Sequence, residues 1–313
     1  MMNDKGKRYI ISPPTRAFIT EYRKAPEFSL FKLIHGYVYA RWIYHYIQVG
    51  RGRHWLAKVF GPLFKWISRI APKMTPKDTP LASGTMADGY HGKVMPLETA
   101  QRLISVNEEI ELHDLEKVIP YPVARDIVLK NPDHIVVLDC PCRATSETPC
   151  LPMDVCMVIG EPMTSMVRQY HPERSRWVSR DEAADILAAE HERGHVHHAF
   201  FKDAILGRYY AICNCCSCCC AGMHAHRHGV PMLASSGYEC RVLEEMCIGC
   251  EACVDICPFD AMTVPDLVVQ IDLQKCMGCG VCVSQCDQGA LELVRNPARG
   301  EPLEIQELIE AMS

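Results

Sequence analysis

Cys247-Ile248-Gly249-Cys250-Glu251-Ala252-Cys253-Val254-Asp255-Ile256-Cys257-Pro258 is the stretch on which the sequence turns. Its four cysteines follow a C-x2-C-x2-C-x3-C-P pattern. The pattern restarts 29 residues on, as Cys276-Met277-Gly278-Cys279-Gly280-Val281-Cys282-Val283-Ser284-Gln285-Cys286. Four residues past each last cysteine an apolar, strand-like run begins, Ala261-Met-Thr-Val264 and Ala290-Leu-Glu-Leu293, so the segment is an internal duplication. Thiolates packed this densely select soft metals: iron–sulfur clusters, with zinc as the alternative. Gly249, Gly278 and Gly280 let the backbone come close to whatever the thiols hold.

The composition agrees. The chain has 313 residues, 48% hydrophobic and 23% charged, with a net charge of −5. That is enough to bury the cores of two or three domains, and it excludes a disordered tail. The balance does not suggest nucleic-acid binding, and no glycine-rich phosphate loop indicates a nucleotide. Nineteen cysteines are an odd number, in a chain too long to need stapling, so they are read as reduced thiols that bind metal. The first thirty residues hold neither an apolar signal core nor a twin arginine, and the expected location is the cytoplasm.

Charge is unevenly distributed. Residues 1–80 carry 15 Lys/Arg against 4 Asp/Glu and three of the four tryptophans, Trp42, Trp55 and Trp66; the remainder is acidic. Phe31, Ile34, Val38, Trp42, Tyr46 and Val49 recur at helical spacing, and a second such run extends from Trp55 to Ile70. Neither run is long and apolar enough to span a bilayer. Residues 1–72 are therefore read as a basic amphipathic helical segment that either lies on the inner face of the membrane or a membrane complex, or packs on its own protein. Residues 73–96 are rich in Pro, Gly, Ser and Thr and read as a linker.

The middle region, residues 97–237, reads as a small α/β domain. Leu97–Ile104 and Val123–Leu129 are expected as short helices, and Ile135–Leu138 and Tyr209–Ile212 as strands. Ser179 to Glu182 reads as a capping box opening a helix that Gly194 ends. Cys140, Cys142, Cys150 and Cys156 fall within 17 residues and are taken as the ligands of a third cluster, with structural zinc as the alternative. Cys213, Cys215, Cys216, Cys218, Cys219 and Cys220 are six cysteines in eight residues, either a candidate further cluster or, with Cys240, completion of the first group. His191, His195, His197, His198, His224, His226 and His228 flank them and raise the prospect of mixed Cys/His ligation.

Over residues 238–295 the doubled motif resembles bacterial-type two-cluster ferredoxins. The resemblance implies cross-ligation: Cys247, Cys250, Cys253 and Cys286 hold one [4Fe–4S] cluster, and Cys276, Cys279, Cys282 and Cys257 the other. Asp287 stands where that family has proline, and its charge is expected to lower the potential of the adjacent cluster. The whole chain, with its CPCR and CNCCSCCC runs, is similar to larger 4Fe–4S-binding proteins of anaerobic bacteria. The expected fold class is α+β, comprising the basic helical segment, the linker, the cysteine-rich α/β domain, the dicluster ferredoxin-like domain and a tail over 296–313. The expected function is relay of single electrons between redox protein partners through two clusters, and through a third or fourth in the middle domain. The sequence assigns no catalytic residues. Its rivals are a catalytic oxidoreductase subunit with a substrate-reactive middle centre, and a redox sensor or cluster-delivery protein.

Overall fold

The computed structural model describes residues 11–25, 28–57 and 86–312. The run from 58 to 70, with Trp66, and most of the expected linker lie outside these residues. A seven-stranded sheet organises the middle of the chain in the order β6-β4-β5-β8-β7-β1-β9. Its strands are β1 (Tyr90–Met95), β4 (Ile135–Asp139), β5 (Asp154–Ile159), β6 (Ser175–Val178), β7 (Val196–Lys202), β8 (Arg208–Cys215) and β9 (Leu233–Ala234). Neighbours are antiparallel except β1 and β9. The fold class is α+β, as expected.

Strand alternation sends successive residues to opposite faces. Val136, Leu138, Cys156, Val158, Phe200, Tyr210 and Cys215 join one buried cluster. Ile135, Val137, Met157, Ile159, Phe201, Tyr209 and Ile212 join the other. The second face is covered by the helices Leu97–Ile104 and Arg180–Glu192 and by Ile305–Met312. The 296–313 stretch is therefore more than a tail. Within it the buried Glu304 carboxylate accepts hydrogen bonds from Thr99, Arg102 and Tyr238.

Several expectations are corrected. Val123–Leu129 is not a helix: Ala124 takes a positive φ of 58°, and Ile127–Leu129 pairs as strand β3 with β2, Ile110–Leu112. Within the expected linker, Tyr90–Met95 forms β1, where Lys93 is buried and donates to the Glu301 carbonyl at 2.7 Å. The Ser179 box is half made. Ser179 Oγ accepts from the Glu182 amide at 3.2 Å, while the Glu182 carboxylate pairs with Arg176 instead. Gly194, at φ 80°, does end that helix.

The N-terminal residues form α1 (Pro13–Lys24), α2 (Leu30–Arg41) and α3 (Ile43–Gly50). None of the described helices is long and apolar enough to cross a membrane. The apolar stripe divides: Phe31, Ile34 and Trp42 are exposed, Val38, Tyr46 and Val49 are half-buried, and Gly36, Tyr39 and Ala40 face inward. Small residues set this choice. A Cβ on Gly36 would overlap the Ala204 carbonyl oxygen, so only this face lets the helix sit tightly. Tyr39 and Tyr210 share a hydroxyl hydrogen bond at 2.7 Å, and Tyr44 Oη donates to the Asp139 carbonyl at 2.9 Å. The segment thus roofs the cysteine-bearing face of the sheet.

Candidate metal centres

The duplicated motif folds twice in the same way. Gly249 and Gly278 adopt φ of 65° and 66°, followed two residues later by left-handed Glu251 and Gly280 and a short helix, Ala252–Ile256 or Val281–Ser284. The glycines serve a tighter approach than the one expected. A Cβ on Gly249 would stand 2.6 Å from the Leu267 carbonyl oxygen, and one on Gly278 would overlap that of Tyr238, so each loop is pressed against a neighbouring chain segment.

Two cavities result. One is walled by Cys247, Cys250, Cys253 and Cys286, the other by Cys257, Cys276, Cys279 and Cys282 with Cys240 beside them. These are the two cross-paired sets that the ferredoxin resemblance implies. In each, the amide four residues past the last cysteine donates to its sulfur at 3.3 Å: Ala261 to Cys257 and Ala290 to Cys286. Burial pushes the Cys253 thiol up to about 11 and raises Cys279 and Cys276, so the bare thiols stay neutral; a cation's charge is what would hold them as thiolates. The residues fit two clusters. Residues 246–290 match the family model of the 4Fe-4S dicluster domain. No curated protein matches the chain.

The dicluster domain presents its two sites unequally. Cys276, Cys279 and Cys282 are buried, whereas Cys250 is exposed and Cys247, Cys253 and Cys286 are half-buried. Asp287 is exposed beside the outer site. Water and salt screen such a charge, so Asp287→Asn is expected to leave that cluster's potential unmoved in an EPR-monitored titration. A clear rise would mean the carboxylate acts through protein. Cys240, on strand β10 (Tyr238–Val242), lines the inner cavity of the dicluster domain and does not complete the first cysteine group. Its sulfur is 3.6 Å from that of Cys282.

The middle-domain cysteines sort differently from their order in the sequence. The β5–β8 register, Met157 opposite Ile212, brings Cys156 beside Cys213, and Cys215 follows on the same face. Cys140 follows β4, Cys142 sits in the helix Pro141–Ala144, and Cys220 precedes the helix Ala221–Arg227 at its N-cap position. Thiol–thiol contacts then close a ring: Cys140 to Cys156, Cys156 to Cys213, Cys213 to Cys215, Cys215 to Cys220, Cys220 to Cys142, and Cys142 to Cys140. The Cys215–Cys220 sulfurs are 3.1 Å apart. Hydrogen bonds from Cys156 and Cys215 pull Cys213 down to about 6, while Cys142 pushes Cys140 up to about 12. Charge is thus shared unevenly around the ring, and six thiolates together would need cations. The ring borders an apolar cavity roofed by Tyr39, Ile43 and Ile47.

Cys150 does not join Cys140, Cys142 and Cys156. Its sulfur lies within 4.8 Å of those of Cys216 and Cys218. Cys219 is beside Cys218, their sulfurs 3.5 Å apart. Among the histidines, His197 and His198 are buried in β7, and burial pulls them down to about 4 and 3, which keeps them neutral. His191 and His226 are also lowered by burial. His224 Nε2 and His228 Nδ1 hydrogen-bond backbone carbonyls at 2.8 and 2.7 Å. Only His195 has a ring nitrogen against a cysteine sulfur, Nε2 at 3.7 Å from that of Cys150, among the hydrogen bonds of the described residues.

Arg143 ties both thiol groups together. Fully buried, it pairs with the Glu190 carboxylate at 2.6 Å, donates to the Asn214 carbonyl at 3.2 Å and reaches the Pro152 carbonyl. Burial opposes ionisation of Glu190, but His195 and Arg143 outweigh it and lower its pKa.

Proposed function

We propose that the chain relays single electrons from a centre held by the middle-domain thiol ring, through the inner and then the outer cluster of the dicluster domain, to a redox protein partner. Cubane clusters pass electrons without rearranging bonds, so the protein supplies insulation, hydrogen bonds and docking. The observation that carries this reading is the helix Ala221–Arg227. It starts at ring residue Cys220, and at its other end Arg227 donates to the carbonyl of Pro258, next to cluster ligand Cys257, at 2.9 Å. Seven residues rise about 10 Å, so the two centres would lie close through packed protein. The inner site's cysteines belong to the same buried cluster as Cys140, Cys156, Cys215 and Cys220. At the far end, exposed Met246, Ile248 and Leu267 surround the outer site and offer a partner an apolar face.

The test of the extra centre is iron and sulfide analysis after anaerobic purification. Two cubanes account for about eight iron per chain; a filled ring takes the count to about twelve or more. A count near eight would confine the function to the dicluster domain.

The N-terminal segment fits a docking role on an anionic membrane surface, supported by its basic balance and by exposed Phe28, Leu30, Phe31 and Ile34. Deleting the segment would unroof the ring, so surface changes make the cleaner probe. Phe31→Glu with Ile34→Glu is expected to weaken flotation with phosphatidylserine-containing vesicles while leaving the iron content intact. Equal flotation of variant and parent would make the segment a roof alone.

A further inference from the structure

We propose that Cys150, Cys216, Cys218 and His195 bind one tetrahedral zinc ion, separate from the iron–sulfur centres. The three sulfurs all lie within 4.8 Å of one another. A zinc ion with bonds of about 2.3 Å places tetrahedral thiolates about 3.8 Å apart, close to that spacing. A cubane needs its thiolates farther apart, because each points outward from a different iron corner. Among the described residues no other three Cys, His, Asp or Glu side chains come so near one another, neither in the ring nor in the dicluster domain. The group of Cys150, Cys216 and Cys218 is therefore suited to one ion, while elsewhere cysteine sulfurs approach in pairs around larger cavities.

The fourth ligand follows from hydrogen-bond chemistry. His195 Nδ1 is 2.7 Å from Glu190 Oε2, and a carboxylate can only accept. The Arg143 guanidinium nitrogen, a donor, also stands 3.1 Å from Nδ1, but Glu190 is nearer, so the proton is assigned to Nδ1, which leaves the Nε2 lone pair facing Cys150, 3.7 Å away. A carboxylate behind a histidine whose far nitrogen faces thiolates is the arrangement that orients metal-bound imidazole. Glu190 is itself fixed by Arg143, and both are buried.

Placement gives the ion a task. Cys150 lies in the loop between ring residues Cys142 and Cys156, and Cys216 and Cys218 lie in the turn between ring residues Cys215 and Cys220. One ion would clamp the two segments that carry most of the ring. Cys218 is exposed, so the site is open to exchange with solvent metal.

The test uses the full chain purified anaerobically, with metal analysis and zinc K-edge absorption. The expected result is about one zinc per chain, with three sulfurs at about 2.3 Å and one nitrogen at about 2.0 Å. Cys218→Ser and His195→Gln should each weaken zinc retention against a chelator at least tenfold, with iron unchanged, and Cys219→Ser should keep both zinc and its nitrogen. Absence of zinc would overturn the proposal, as would a four-sulfur shell that Cys219→Ser abolishes, or loss of an iron–sulfur signal in Cys218→Ser.

Discussion

Replacing Arg143 with methionine is expected to destabilise the middle domain by about 3–5 kcal/mol, the usual cost of stranding one partner of a buried ion pair. Arg143 and Glu190 are 0% and 1% exposed, so neither charge has water to fall back on. Methionine roughly preserves the volume, which separates the electrostatic loss from a cavity effect. Four interactions fail together: the Glu190 pair, the contact with His195 Nδ1, the Asn214 carbonyl between Cys213 and Cys215, and the Pro152 carbonyl between Cys150 and Cys156. Loosening should therefore appear first at the thiol ring, while the dicluster domain keeps its signals. Arg143→Lys retains the charge but not the forked geometry, and should fall between the two. The measurement is a denaturant midpoint followed by far-ultraviolet circular dichroism, with iron content in parallel. A shift worth less than about 1 kcal/mol would mean the pair is solvated or replaceable.

Gly278→Ala should be nearly as damaging, and at a different place. The residue holds φ at 66°, where an alanine costs about 1–2 kcal/mol by itself. The added methyl would also overlap the Tyr238 carbonyl oxygen and meet Ser236, so strand β10 must move away. Ser236 Oγ donates to the Gly278 carbonyl at 2.7 Å, and the Ser236 amide donates to that of Met277 at 3.1 Å, so the substitution opens the seam between the middle and dicluster domains. A total of about 3 kcal/mol or more is expected, with loss of the inner cluster's share of the iron. Gly280→Ala gives the comparison: φ is also positive, but the nearest atom is the Leu293 side chain at 3.1 Å, which can yield. Equal iron in Gly278→Ala and the parent protein would remove the seam from the account.

What the sequence makes legible, and what it hides, has physical causes. The two dicluster sets can be written down because their ligands sit in two short loops of fixed geometry, and only the cross-pairing is long-range. The middle thiols cannot be sorted that way, since sequence proximity misleads there. Cys156 meets Cys213 through the β5–β8 register, 57 residues away, while Cys150, only six residues before Cys156, joins Cys216 and Cys218 instead. Strand β1 is hidden by polar residues that look like loop: the His91 ring lies between the carbonyls of Ala87 and Ala124 and donates to one of them, and Lys93 donates to that of Glu301. In α2 helical spacing shows an apolar stripe without saying which side packs, and Gly36 and Ala40 allow a closer fit than Phe31 and Ile34 would. His195 carries a weak signal among seven histidines. Only the Glu190 carboxylate behind it, five residues back in the chain but across a helix end, distinguishes it.

The central claim is that the thiol ring holds a redox centre in electronic contact with the dicluster domain. EPR of the fully reduced, anaerobically purified protein tests it most directly. The account predicts an additional signal that Cys142→Ala removes, and mutual broadening between it and the inner cluster, brought close by the Ala221–Arg227 helix. Two cluster signals identical in the parent and in Cys142→Ala, with no third centre at any potential, would contradict it.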